Sequence, residues 1–244
     1  MIDEPAGRWG ILIALSATIV LALVPWFSAA AVAPLIAGEW QIDAFQTALL
    51  TVAVQVGFSI GALVLALTGA ADVVPARRLI AIGALVAALA NAAFGLIAVD
   101  LVTAIPLRAL SGAGIAAVYP VAMKVLAGWF SRERGLAVGV LIGAITLGSA
   151  IPYALRAAGA IVDLDWRLVV VAGSVPGLLA AAIAWLTVRD GPLAVPAARF
   201  SVRQARAALA EPSCGSRTSA ISGTCGSCTR CGRGFRPSWR PASR

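Results

Sequence analysis

Six long runs of apolar residues follow one another with only short, charged connections between them. They fall at about 9–37, 46–70, 79–99, 102–130, 136–158 and 168–188. A hydrocarbon core of about 30 Å is crossed by about 20 residues of helix. Each run is therefore expected to span a bilayer, which makes the chain an all-α, multi-pass membrane protein with a six-helix bundle. Composition agrees: 60% of the 244 residues are apolar and 12% are charged, against roughly 45–50% and about 25% in soluble domains. Trp9, Trp26, Trp40, Trp129, Trp166 and Trp185 are read as lying near the ends of spans, where an amphipathic ring favours the headgroup layer.

The formal net charge of +8 does not indicate nucleic-acid binding. Residues 1–210 carry a net +3, and residues 211–244, with six Arg and Glu211, carry +5. The chain has no histidine, which excludes Ser–His and Cys–His catalysis and imidazole proton relays. No enzyme is expected, and no cofactor.

Sidedness follows from Lys and Arg in short loops, which stay cytoplasmic. Arg8, Arg77, Arg78, Arg132, Arg134, Arg189, Arg199, Arg203 and Arg206 fall on one side; only Arg156 and Arg167 fall on the other, beside Glu39, Asp43, Asp100, Asp163 and Asp165. Both ends of the bundle are expected in the cytoplasm, with the protein in the cell (inner or plasma) membrane.

Three stretches are similar to elements of one transporter family. GAADVVPARRL, between the second and third spans, resembles the Gly–Asp–Arg loop signature of the major facilitator superfamily through Gly69, Asp72, Arg77 and Arg78. It departs by Pro75, where a glycine is common, and by an Arg pair displaced by one residue. RALSGAGIAA in the fourth span matches an Arg-x-x-x-Gly-x-Gly element at Arg108, Gly112 and Gly114. GLAVGVLIGAITLGSAIP in the fifth is similar to the gating-helix motif, with Gly135, Gly139, Gly143, Gly148 and Pro152. YPVAMKVLAGWF followed by RGLAVGV resembles the branch containing cyanate and nitrate/nitrite transporters. The resemblance covers about residues 9–190 and implies the N-terminal half of a twelve-helix carrier whose halves rock around a midplane site.

On this reading residues 1–190 form the bundle, 191–210 a cytoplasmic linker with a short basic amphipathic helix, and 211–244 a disordered tail. The resemblance implies that the loop cluster Asp72, Arg77 and Arg78 gates by pairing with neighbouring helices, against the alternative of a solvated turn that only sets topology. The glycines, with a further notch at Gly57 and Gly61, let helix backbones approach closely in lipid.

Arg108 lies about 9 Å inside the fourth span, a depth at which a charge faces a cavity or a partner. On an ideal helix Ser111, Gly112, Ile115 and Tyr119 share its face to within about 60°, which suits a path for a small anion. An arginine that snorkels outward or pairs with Asp100 or Asp163 is the alternative. Lys124, about 160° around the same helix, reads as a snorkelling lysine. Thr51 and Gln55, in a four-residue stripe with Thr47 and Ser59, either line the cavity or bond between helices. Asn91 reads as a packing contact.

Cys225, Cys228 and Cys231 in the tail form C-x-x-C-x-x-C, a weak metal signature without histidine. Read two bases out of frame, one GC-rich back-translation from Ser213 gives an apolar, aromatic string resembling a seventh span, so the tail reads as a frameshift product. The expected function is secondary transport of a small molecule or ion, truncated to one half and inactive alone. Either a missing second half or dimerisation would complete it. The alternative is a six-helix membrane adaptor whose basic tail binds metal or a partner.

Overall fold

The computed structural model describes residues 7–161 and 164–192. Asp163, most of the 191–210 linker and the whole tail with Cys225, Cys228 and Cys231 lie outside the described residues. Those residues form α1 (Arg8–Ala22), α2 (Val24–Trp40), α3 (Ala44–Thr68), α4 (Ala70–Val73), α5 (Ala76–Ile97), α6 (Leu101–Ala116), α7 (Tyr119–Trp129), α8 (Arg134–Ile161) and α9 (Trp166–Thr187), with no strand among them. Six stretches are long and apolar enough to cross a membrane: Arg8–Trp40, Ala44–Thr68, Ala76–Ile97, Leu101–Trp129, Arg134–Ala160 and Trp166–Thr187. Every end falls within three residues of its expected place. The two longest spans, the first and fourth, are each made of two helices.

Local chemistry sets the starts. Asp43 accepts the Gln46 backbone N–H at 2.7 Å while the Gln46 side chain accepts that of Asp43 at 3.0 Å, closing a capping box on α3. Asp100 makes the same box with Thr103 on α6, and Asp165 accepts from the Arg167 N–H on α9. The Thr103 hydroxyl and N–H hold the Asp100 carboxyl below its usual range. That cap is thus complete at neutral pH and is lost as pH falls through the lowered value. Gly69, at φ 62°, ends α3 in the left-handed region.

Packing places α5 deepest, with 56% of its most apolar window buried, against α9 on one side and α6 on the other. Its inner face is mostly alanine (Ala84, Ala87, Ala88) with Asn91 and Phe94. α3 lies on α6 backbone to backbone: a Cβ on Gly57 would run into the Ala109 carbonyl, and one on Gly112 into that of Val54. Gly61 is similarly tight, since a Cβ there would sit 2.9 Å from the Ala113 Cα, and a Cβ on Gly114 would sit 2.6 Å from the Gly83 oxygen. A Cβ on Gly148 would sit 2.7 Å from the Val20 carbonyl oxygen.

Gly135, Gly139 and Gly143 behave differently, with nothing within 4 Å of where a Cβ would be. This part of the expected small-residue stripe on α8 thus packs on no neighbour among the described residues. α3 and α8 are also the least buried spans, at 22% and 28%.

Two apolar clusters make the core. One gathers Leu15, Ile80, Val125, Leu126, Phe130 and Leu141; the other gathers Val32, Ile36, Leu50, Phe94, Trp166 and Val170. Between them, in the spans that supply both, stand the buried polar residues Ser28, Asn91, Arg108, Ser111 and Ser174. The bundle therefore carries a polar layer at mid-height.

The two kinds of glycine should separate in a thermal unfolding experiment in detergent. Gly112→Ala forces backbones apart and is expected to cost about 1–3 kcal/mol or more. Gly139→Ala meets open space and should stabilise its helix by up to about 1 kcal/mol. Equal unfolding midpoints for the two variants would contradict this packing.

Candidate functional site

The first and fourth spans break at prolines. Pro25, in the first turn of α2, has no N–H to return to the preceding turn, and the chain passes through Leu23 between α1 and α2. In the fourth span Ala117 and Val118 donate to the carbonyls three residues back, Gly114 at 3.1 Å and Ile115 at 2.9 Å, before α7 restarts at Tyr119 and Pro120. Such tightened turns alter the angular register of the helix beyond them. Both breaks open on one concavity of about 200 Å³, walled by Leu23, Trp26, Phe27, Ile115 and Tyr119, with Phe58 of α3 and Ile145 of α8 across from them. The Trp26 and Phe58 rings meet edge to face at 5.5 Å. Trp26 is thus a mid-span residue on the concavity and not, as expected, an interface anchor. The first span is long enough to place it far from either end.

Arg108 is 1% exposed. Its Nη1 donates to the Pro25 carbonyl at 3.0 Å and to Asn91 Oδ1 at 3.2 Å, and its Nη2 donates to the Trp26 carbonyl at 2.5 Å. The guanidinium lies 5.6 Å from the Phe94 ring centre. Asn91 carries the network on, its Nδ2 donating to Ser174 Oγ at 2.9 Å and to the Val170 carbonyl at 3.0 Å. The Ser28 hydroxyl is within hydrogen-bond distance of Asn91 Oδ1 (2.5 Å) and the Pro25 carbonyl (2.9 Å). Ser111 is also buried, its hydroxyl donating to the Ala87 carbonyl at 3.3 Å.

The expected single face of Arg108, Ser111, Gly112, Ile115 and Tyr119 is therefore divided. Arg108 and Ser111 turn into the bundle, Gly112 packs on α3, and Ile115 and Tyr119 reach the concavity. Inside a bundle a guanidinium needs acceptors, and here Asn91 and two α2 carbonyls supply them. It neither snorkels nor pairs with Asp100, which is engaged in its own cap. Thr51 and Gln55 are exposed on α3, away from the concavity's lining. Their stripe partners bond backwards along the helix, Thr47 to the Asp43 carbonyl at 2.8 Å and Ser59 to that of Gln55 at 2.9 Å.

At the arginine-rich end, Asp72 lies in α4 and pairs with Lys124 of α7 at 2.5 Å, the lysine also donating to the Ala71 carbonyl at 2.6 Å. Lys124 is therefore engaged with the loop and does not simply snorkel. Arg77 sits 5.9 Å from the Trp185 ring centre and Arg78 is exposed. Arg8 pairs with Glu133 at 2.9 Å. At the opposite end Arg167 pairs with Glu39 at 3.0 Å and donates to the Ala98 carbonyl at 2.8 Å. The Trp166 indole N–H also donates to Glu39. Exposed pairs of this kind contribute about 0–1 kcal/mol each. They fix which ends meet more than they hold the fold. Among the described residues no cluster of three His, Cys, Asp or Glu is placed to hold a metal.

Sequence reasoning named Tyr119 as a cavity candidate but missed Trp26, Phe27 and Phe58 beside it. Pro25 and Pro120, each one residue from an aromatic at mid-span, were the available signal.

The chain's fold is shared with two solved states of one transporter type. A bacterial homologue of the human lysosomal transporter Spinster, inward-facing and unoccupied, superposes with a TM-score of 0.68 at 20% identity, covering 84% of this chain and 48% of the other. Its inward-facing occupied form gives 0.67 at 21% identity, with 80% and 47% covered. The chain thus spans about half the length of those structures, and at such identity the likeness is one of fold. Among curated proteins nothing matches. Residues 14–229 match the family profile described as Major Facilitator Superfamily, a reach that extends beyond the 9–190 of the motif resemblance. With that match over most of its length, the chain belongs to the Major Facilitator Superfamily.

Proposed function

We propose that the chain forms one six-helix half of a solute carrier working by alternating access, and that the concavity between the broken spans is its share of the solute path. The observation that carries this is that both proline breaks open on the same concavity. A helix already missing a backbone bond at proline bends there at little further cost. The open faces of α3 and α8 support a second half. Thr51 and Gln55 on one, and Gly135, Gly139 and Gly143 on the other, are surfaces that a second six-helix bundle would cover. That bundle is either further polypeptide or another copy of this chain.

The wall favours an organic solute with an aromatic or alkyl body, oriented by the Tyr119 hydroxyl. The small-anion reading, and with it the cyanate and nitrate/nitrite branch, rests on Arg108. The carbonyl and amide bonds that occupy that guanidinium weigh against its serving as a direct ligand. On the loop side, Asp72–Lys124 supports a gating contact between α4 and α7, with Arg77 and Arg78 flanking it.

Equilibrium binding to the purified chain in nanodiscs, with a labelled panel of aromatic and alkyl organic solutes plus nitrate and cyanate, tests the site. Trp26→Ala should weaken organic-solute binding roughly tenfold or more. Nitrate or cyanate binding that survives Trp26→Ala and disappears in Arg108→Gln would establish the anion reading instead. Liposomes holding the chain alone are expected to take up none of these solutes above empty vesicles; robust uptake would show that a second copy of this chain, and not further polypeptide, completes the path.

We also assign the arginine-rich end to the cytoplasm, from the positive-inside rule. With the tail cysteines changed to serine, Arg77→Cys and Arg132→Cys should react with an impermeant maleimide only after cells are opened. Labelling of the two on opposite sides would end the six-span topology.

A further inference from the structure

Arg108 does not wall the concavity, yet two of its hydrogen bonds end on the segment that does. Its Nη1 and Nη2 reach the successive carbonyls of Pro25 and Trp26, 3.0 and 2.5 Å away. Those carbonyls lie in the first turn of α2, immediately beyond the break at Leu23. A helix turn just past a proline break lacks part of the bonding that would align it with the turn before. Donors arriving from another span then decide its direction. A planar guanidinium suits the task, because its two terminal nitrogens hold donors at a fixed separation that matches two neighbouring oxygens, whereas an ammonium offers all its donors from one nitrogen on a flexible stem.

The fork is itself held. Asn91 Oδ1 accepts from Nη1, while the Asn91 amide nitrogen is tied to α9 through Ser174 and the Val170 carbonyl. The Phe94 ring backs the charge. We infer that Arg108 is a positioning residue. Its guanidinium clamps the first turn of α2 onto the fourth span, and this sets where the Trp26 ring stands against Phe58 and Tyr119. The same side chain connects the two broken spans. Arg108 belongs to α6, whose own break comes at Ala117 and Val118, so rotation at one break is transmitted to the other through these bonds.

The consequence for transport rests on the concavity being the solute path; the clamp itself is read without any solute. Hydrogen–deuterium exchange of the full chain in nanodiscs is compared for wild type, Arg108→Met and Arg108→Lys. The lysine variant keeps charge and reach but loses the fork, so the test does not depend on the apolar variant folding. Trp26 emission is isolated in each background as the difference from its Trp26→Phe counterpart.

In Arg108→Met, exchange over residues 22–30 is expected to rise roughly tenfold, with α3 and α8 unchanged and a red-shifted Trp26 contribution. Arg108→Lys should lie between it and wild type. Wild-type exchange over 22–30 in both variants would overturn the clamp. So would acceleration spread equally over all six spans, since Arg108 would then merely hold the bundle together. Loss of solute binding in Trp26→Ala alongside wild-type exchange in both Arg108 variants would refute the clamp and leave the solute path standing. Accelerated exchange with solute binding untouched by Trp26→Ala would do the reverse.

Discussion

Hydrocarbon supplies no hydrogen bonds, so every polar group that enters the bundle has to be answered from within it. The layer of Ser28, Asn91, Arg108, Ser111 and Ser174 is that answer. It lies between two apolar clusters, and its bonds run across spans one, three, four and six. A guanidinium placed there brings several donors, and Asn91 and the α2 carbonyls accept three of the bonds it makes. Its Nε has no partner among the described residues, so the layer is well supplied without being saturated. The apolar clusters provide burial, but they would tolerate sliding; directional bonds at mid-height fix how the spans register.

Around this layer, backbone proximity does the remaining work. In lipid the hydrophobic effect offers little drive for one helix to choose another, and close packing takes its place. Gly57 against Ala109 and Gly112 against Val54 bring α3 and α6 so near that no Cβ fits. Alanine does the same more gently along α5. Gly135, Gly139 and Gly143 of α8 share the same four-residue rhythm yet meet no neighbour among the described residues, so an identical pattern marks an occupied seam in one place and an open one in another.

The breaks in the first and fourth spans join architecture to the proposed activity. Both sit at the level where the spans face a common concavity, and both are made by proline near an aromatic residue. Rigid spans would present a smooth wall; broken ones present Trp26 and Tyr119 on segments able to turn. Ion pairs at the two ends, Asp72–Lys124 and Glu39–Arg167, tie neighbouring elements where water is near and exchange of partners costs little.

Much of the fold was legible in the order of residues. Run length against bilayer thickness gave six spans; that Asp43, Asp100 and Asp165, counted only as charges of the opposite side, cap the starts of three of them came from the structure. The glycine rows showed where backbones were able to approach. Sequence alone did not decide where Arg108 and Ser111 point, whether Lys124 is engaged, or which glycine row is filled. Periodicity fixes which residues share a face but not which neighbour that face meets, and only beyond the tightened turn at Ala117 and Val118 does the register also shift, for Tyr119 and Lys124. The amino-acid order determined the medium, the number of crossings and the positions of polar groups within each span. Only the tertiary structure decided which of those groups meet, because a buried donor is satisfied by whichever acceptor packing brings within about 3 Å, and no local pattern records that choice.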